Sequence, residues 1–270
     1  MPTAIQSPDL YAVLGNPVEH SKSPRIHALF AAQCGQDLRY EKRLIALDGF
    51  ADGLKVFRAE GGRGCNVTVP FKFDAARAAA QLSPRAALAE AANTLGWDEA
   101  GALWADNTDG IGLVRDLARV FGNGEKPSLG RAEAGLLAGK RVLLLGAGGA
   151  ASGVLGALIE AGAHAISVWN RSADKAQGLV ARHAALAREL GVELTPVTEP
   201  IPGCDLVINA TASSLSGAAL ALPPGVLRVG MLAYDLMYAA QPTPFVAQGR
   251  HAGARAEDGL GMLVEQAAES

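Results

Sequence analysis

Two hydrophobic periods alternate along the chain. Short apolar runs closed by Gly, Asn or Pro read as buried strands, and apolar residues at helical spacing read as helices. Residues 10–15 form such a run, ending at Gly15-Asn16-Pro17. Residues 24–34 predict a helix with Ser23 as N-cap and Pro24 at its first position. Strands are expected at 39–47 and 64–70, and helices at 49–59, near Phe71 and at 83–92. A hairpin is expected over 94–105, turning at 98–101. Ile111, Val114, Leu117, Ala118 and Phe121 follow helical spacing, so a helix begins near Asp109. Residues 122–139 read as a surface loop. A second series then starts, with strands at 141–145, 165–169, 193–197, 205–209 and 231–235, helices between the first three, and two helices within 243–268.

Repeated strand–helix units imply mainly parallel sheet with helices on both faces. The break between the two series near Ile111 predicts an α/β protein of two domains, 1–110 and 111–258, with a cleft between them.

Composition narrows the partners. The chain has 270 residues, 49% hydrophobic and 19% charged, which fits a globular protein with a real core. A net charge of -3 and the lack of a basic run argue against nucleic acid. No apolar stretch is long enough to span a membrane, and the N-terminus does not read as a secretory signal. Cys34, Cys65 and Cys204 have no metal-ligand spacing and are expected to be reduced and buried, which points to the cytoplasm. The five histidines form no metal pattern, and no metal is expected.

The strongest motif is residues 141–151. Gly146, Gly148 and Ala151 keep G-x-G-x-x-A spacing directly after an apolar strand and open a helix, the context a dinucleotide-binding turn requires. Gly146 allows the tight turn, Gly148 lets the backbone approach a pyrophosphate, and Ala151 lets helix and strand pack closely. The free N–H groups of the helix start favour phosphate. The next strand ends at Asn170 without the acid that would bond a ribose 2′-hydroxyl. Arg171, Ser172 and Lys175 follow instead. A guanidinium grips a 2′-phosphate through two hydrogen bonds, so NADP is predicted over NAD.

The first half concentrates polar residues at strand ends. Ser21 and Ser23 place two hydroxyls at a helix start, a candidate carboxylate site. Lys72 follows the strand in Asn66-Val-Thr68-Val-Pro-Phe-Lys72. A lysine at a helix start opposes the dipole, which favours loss of its proton and suits proton transfer. Asp109, at the domain boundary, is a candidate partner or the N-cap of the following helix.

These motifs, with Asn93-Thr94, Asn209-Ala-Thr211, Tyr234-Asp235, Tyr238, Thr243-Pro-Phe245, 258–262 and Gln266, occur in the order of the shikimate dehydrogenase family, which the chain resembles nearly end to end. The resemblance implies a substrate-binding α/β domain, onto which 259–270 folds back, and a Rossmann-type doubly wound NADP domain. It implies NADPH-dependent reduction of 3-dehydroshikimate to shikimate, with Lys72 and Asp109 as the catalytic pair. Ser21, Ser23 and Tyr238 would hold the substrate carboxylate, and Thr68, Asn93 and Gln266 the ring hydroxyls. Gly146, Ala147, Gly148, Gly149 and Ala150 would hold the pyrophosphate. Asn170, Arg171, Ser172 and Lys175 would hold the adenosine phosphate end, and Leu236 and Gly259 would lie near the nicotinamide. Leu236 stands where the family often has Met. A monomer or homodimer is expected. Two alternatives stay open: a quinate/shikimate dehydrogenase using NAD, and a non-catalytic regulator on the same fold.

Overall fold

The computed structural model describes residues 8–122, 135–213 and 217–270. The chain divides into two compact units. One ends at Thr108 and takes in Ser270; the other is Asp109–Glu269.

The first unit holds six strands, β1 (Asp9–Gly15), β2 (Leu38–Leu44), β3 (Gly62–Val67), β4 (Gln81–Leu82), β5 (Thr94–Trp97) and β6 (Leu103–Asp106). Its helices are α1 (Ser23–Cys34), α2 (Phe50–Ala59), α3 (Lys72–Ala78) and α4 (Pro84–Ala89). The strand order is β2-β1-β3-β5-β6-β4. This sheet is mixed rather than mainly parallel, because the β5–β6 hairpin pairs antiparallel to β3. The short edge strand β4 has too little apolar pattern to be read from sequence. Alternation along β1 sends Leu10, Ala12 and Leu14 into a core with Phe50, Leu54 and Phe57 of α2 and with Phe71 and Ala75.

The second unit carries β7 (Arg141–Leu145), β8 (Ala165–Trp169), β9 (Glu193–Val197), β10 (Leu206–Asn209), β11 (Leu232–Asp235) and β12 (Arg255–Glu257). Their order is β12-β11-β10-β7-β8-β9, with every pairing parallel. Its helices are α5 (Asp109–Phe121), α6 (Gly149–Glu160), α7 (Ala173–Glu189), α8 (Pro244–His251) and α9 (Leu260–Glu269). A parallel sheet covered on both faces needs strands apolar on both sides. In β7, Val142 and Leu144 feed one core and Leu143 and Leu145 the other.

Four expectations change. β12 interrupts the stretch read as two helices, since three residues are too short to show a strand period. Residues 123–134 of the expected loop lie outside the described residues, but Leu137 is fully buried in the second unit's core, so the 122–139 segment is not wholly a surface insertion. Cys34 is exposed, while Cys65 and Cys204 are buried as expected. The segment 259–270 groups with the second unit up to Glu269, and only Ser270 with the first. The physical reason is close packing of α9 on α5: a methyl group added at Gly112 would lie 2.7 Å from the Gln266 backbone nitrogen.

Candidate active site

In the first unit, polar side chains gather at the C-terminal ends of the parallel strands. After β1, α1 starts at Ser23, not after it. Lys22 holds the N-cap position without a side-chain bond, so Ser23 is not the expected cap. Ser21 does part of that work by accepting a bond from the Ser23 N–H at 3.3 Å. The two hydroxyls lie 3.2 Å apart, as a paired anion site needs. Ser23 is buried and Ser21 half-buried.

After β3, Thr68 N–H donates to the Leu14 carbonyl and Phe71 N–H to the Thr68 carbonyl. Phe71 is fully buried and stacks on Phe50 at 5.3 Å, which anchors the turn. Lys72 then opens α3, half-buried, its carbonyl accepting from Ala92 N–H at 2.8 Å. Asn93 lies at 2% exposure, with its amide oxygen taking the Thr108 N–H and the Thr94 hydroxyl.

In the second unit Asp109 is the first residue of α5 rather than its N-cap, and is buried. A carboxylate in the first turn complements the helix dipole. Gln266 is buried on α9, and Tyr238 is half-buried in the loop after β11.

The phosphate turn has the shape its glycines predict. Gly146 adopts φ +112, and a methyl group there would sit 3.0 Å from the Ala210 carbonyl oxygen. Gly148 faces open space, and α6 begins at Gly149 with no side-chain cap, so a pyrophosphate has room and main-chain donors. Asn170 accepts from Ala147 N–H at 3.2 Å and donates to the Ser172 carbonyl at 3.0 Å, which ties the end of β8 to the turn. Arg171, Ser172 and Lys175 are exposed beside it. The residues present therefore fit a phosphorylated dinucleotide.

Leu236 and Gly259 also come together. A methyl group on Gly259 would lie 2.2 Å from the Leu236 carbonyl oxygen, so only glycine permits the approach. A buried network sets this loop. Asp235 accepts from Asn209 at 3.1 Å, Thr243 at 2.6 Å and Met237 N–H at 3.1 Å. Asn209 in turn accepts from Thr211. This is what the Asn209-Ala-Thr211, Tyr234-Asp235 and Thr243-Pro-Phe245 motifs do.

Sequence reasoning assigned no role to Tyr40. Its hydroxyl donates to Asn66 at 2.6 Å, and its ring stacks on His27 at 4.3 Å. Burial lowers the His27 imidazole to about 4, with Asn66 opposing the shift. The available signal was a Tyr and an Asn at same-face positions of the two strands that flank β1. A cavity of 720 Å³ lies on this side of the first unit, lined by Tyr11, His27, Tyr40, Asn66, Thr94 and Trp104 among others. None of the residues expected to hold substrate lines it. Among the described residues no group of His, Cys, Asp and Glu could hold a metal ion, and no helix is long and apolar enough to cross a membrane.

A parallel six-stranded sheet with a glycine turn after β7 and Arg171 after β8 defines the class: a dinucleotide-dependent α/β oxidoreductase. The chain belongs to the shikimate dehydrogenase family. Residues 13–95 match the shikimate dehydrogenase substrate binding domain, and 128–216 match shikimate / quinate 5-dehydrogenase. A shikimate dehydrogenase (NADP(+)) of Verminephrobacter eiseniae is 53% identical, covering 98% of this chain and 88% of the relative. The structure of a Thermus thermophilus shikimate 5-dehydrogenase in complex with NADP(H) and shikimate is 33% identical, with a TM-score of 0.75, covering 97% of this chain and 91% of that one. An Ael1 enzyme from Pseudomonas putida is 41% identical, with a TM-score of 0.75 and the same two coverages.

Proposed function

We propose that the chain catalyses the reversible NADPH-dependent reduction of 3-dehydroshikimate to shikimate, within aromatic amino-acid biosynthesis. The observation that carries the reading is the open glycine turn at Gly146–Gly148 with Arg171, not an acid, after the neighbouring strand. The first unit is the substrate-binding domain and the second the NADP-binding domain.

When bound, NADPH supplies the hydride to the ring ketone carbon. Lys72 holds a proton at Nζ, offsets the negative charge growing on the ketone oxygen and delivers the proton there. Asp109 orients Lys72 and favours its charged form. In the oxidation direction the neutral amine accepts the hydroxyl proton. Ser21 and Ser23, with Tyr238, bind the carboxylate; Thr68, Asn93 and Gln266 bind ring hydroxyls. The main chain of 146–150 holds the pyrophosphate, with Asn170, Arg171, Ser172 and Lys175 at the 2′-phosphate and Leu236 and Gly259 at the nicotinamide. A cytoplasmic monomer or homodimer without a nucleic-acid partner accords with a net charge of -3 and unbridged cysteines.

The test is turnover of shikimate and of quinate with NADP by purified protein, followed by nicotinamide absorbance. Shikimate oxidation is expected. No turnover of shikimate would overturn the reading and favour a non-catalytic binder, and faster turnover of quinate would replace it with the quinate alternative.

A further inference from the structure

Tyr40 stands on β2 and Asn66 on β3, the two strands that flank β1, and Thr94 stands on β5, next to β3. Strand register places Asn66 opposite Thr94. A phenol has one proton to give, and Tyr40 gives it to Asn66 Oδ1. That turns Asn66 Nδ2 the other way, where it donates to the Asn93 carbonyl at 3.2 Å, Thr94 Oγ1 at 3.3 Å and Ser270 Oγ at 2.7 Å. Thr94 Oγ1, accepting from Asn66, has one proton to share between Asn93 Oδ1 at 3.0 Å and Ser270 Oγ at 3.1 Å. The Thr108 N–H reaches Asn93 Oδ1 at 2.9 Å, while Asn93 Nδ2 donates to Thr108 Oγ1 at 2.9 Å. Two donors therefore hold Asn93 Oδ1, and a flip would turn the Asn93 NH2 toward both the Thr108 N–H and the Thr94 hydroxyl proton.

We propose that Tyr40 is a positioning residue of the substrate site: through Asn66 and Thr94 it locks the Asn93 amide so that Asn93 meets a substrate hydroxyl only as an N–H donor. The inference rests on the shikimate reading of that site. Asn66, Thr94, Asn93 and Thr108 are all buried, and Tyr40, Asn66 and Thr94 also border the cavity on this side of the sheet. Burial pushes the Tyr40 phenol well above its ordinary range, which keeps it a donor at any assay pH. The specificity consequence is that the ring hydroxyl at Asn93 must accept.

Tyr40→Phe removes the hydroxyl and keeps the ring stacked on His27. The expected result is a rise of about tenfold in KM for shikimate, with kcat and the KM for NADP within about threefold of the parent. Thr94→Val breaks the chain one link further on and should give the same split. In an Asn93→Ala background, Tyr40→Phe should add less than about twofold. A folded Tyr40→Phe protein with unchanged KM for shikimate overturns the inference, as does a parallel rise in both KM values. The parent is assayed alongside. A parent that fails to turn over shikimate overturns the functional reading as well, whereas an active parent with a silent Tyr40→Phe overturns this inference alone.

Discussion

In the second unit the candidate ligand contacts are mainly backbone: a glycine at φ +112, an uncapped helix start and the Leu236–Gly259 approach. In the first unit they are side chains, a serine pair at 3.2 Å and an asparagine clamped by two threonines. The difference follows from the ligands. A pyrophosphate is a strong acceptor that any array of N–H groups satisfies. A ring hydroxyl both donates and accepts, so its binding groups need fixed polarity.

Four substitutions press on this contrast. Lys72→Ala is the most damaging, with kcat expected to fall about 100- to 10,000-fold and KM little changed, since proton transfer has no backbone substitute. Steady-state kinetics decide it; a variant keeping a tenth of parental activity would remove Lys72 from the mechanism.

His27 gives a stability effect confined to the side-chain half. Its folded-state pKa of about 4 lies below the ordinary histidine value of 6.5. Between those values the unfolded chain binds the proton and the folded chain does not. Stability therefore falls as pH drops from 6.5 towards 4, by at most roughly 3 kcal/mol from this group. His27→Phe keeps a ring against Tyr40 and should remove that slope in urea titrations at pH 7 and pH 4.5. An unaltered slope would mean that another group titrates.

Arg171→Ala should raise KM for NADP about tenfold or more and leave NAD use nearly unchanged, because a charge-assisted contact is lost from one cofactor only. Equal effects on both cofactors would show that Arg171 does not read the 2′-phosphate. The smallest effect belongs to Tyr234→Phe. The Tyr234 hydroxyl donates to buried Asp116 at 2.6 Å, and Arg119 holds the same carboxylate at 2.7 Å. With Arg119 left in place, thermal unfolding should report a loss of about 1–2 kcal/mol and no change in either KM.

The same contrast explains what the sequence disclosed. The turn at 146–151 was legible because its shape depends on a few glycines at fixed spacing after an apolar strand. The strands of the second sheet were legible because burial on both faces makes them continuous apolar runs. The mixed pairing of the first sheet was not, since the hairpin at 94–105 showed itself without showing which strand it joins. Ser23 carries a capping residue's chemistry, yet the helix begins one residue early and Ser21 supplies the bond. Tyr40 went unassigned because its partner lies 26 residues away on the strand beyond β1, and no local pattern encodes a hydrogen-bond direction.

Cofactor choice is where the two halves meet a single number. The decisive measurement is kcat/KM for NADP and for NAD at saturating shikimate with the parent protein. The account predicts that NADP is favoured by about 100-fold, from a guanidinium that pairs with a 2′-phosphate and no acid to receive a 2′-hydroxyl. Equal use of the two cofactors, or a preference for NAD, would contradict it.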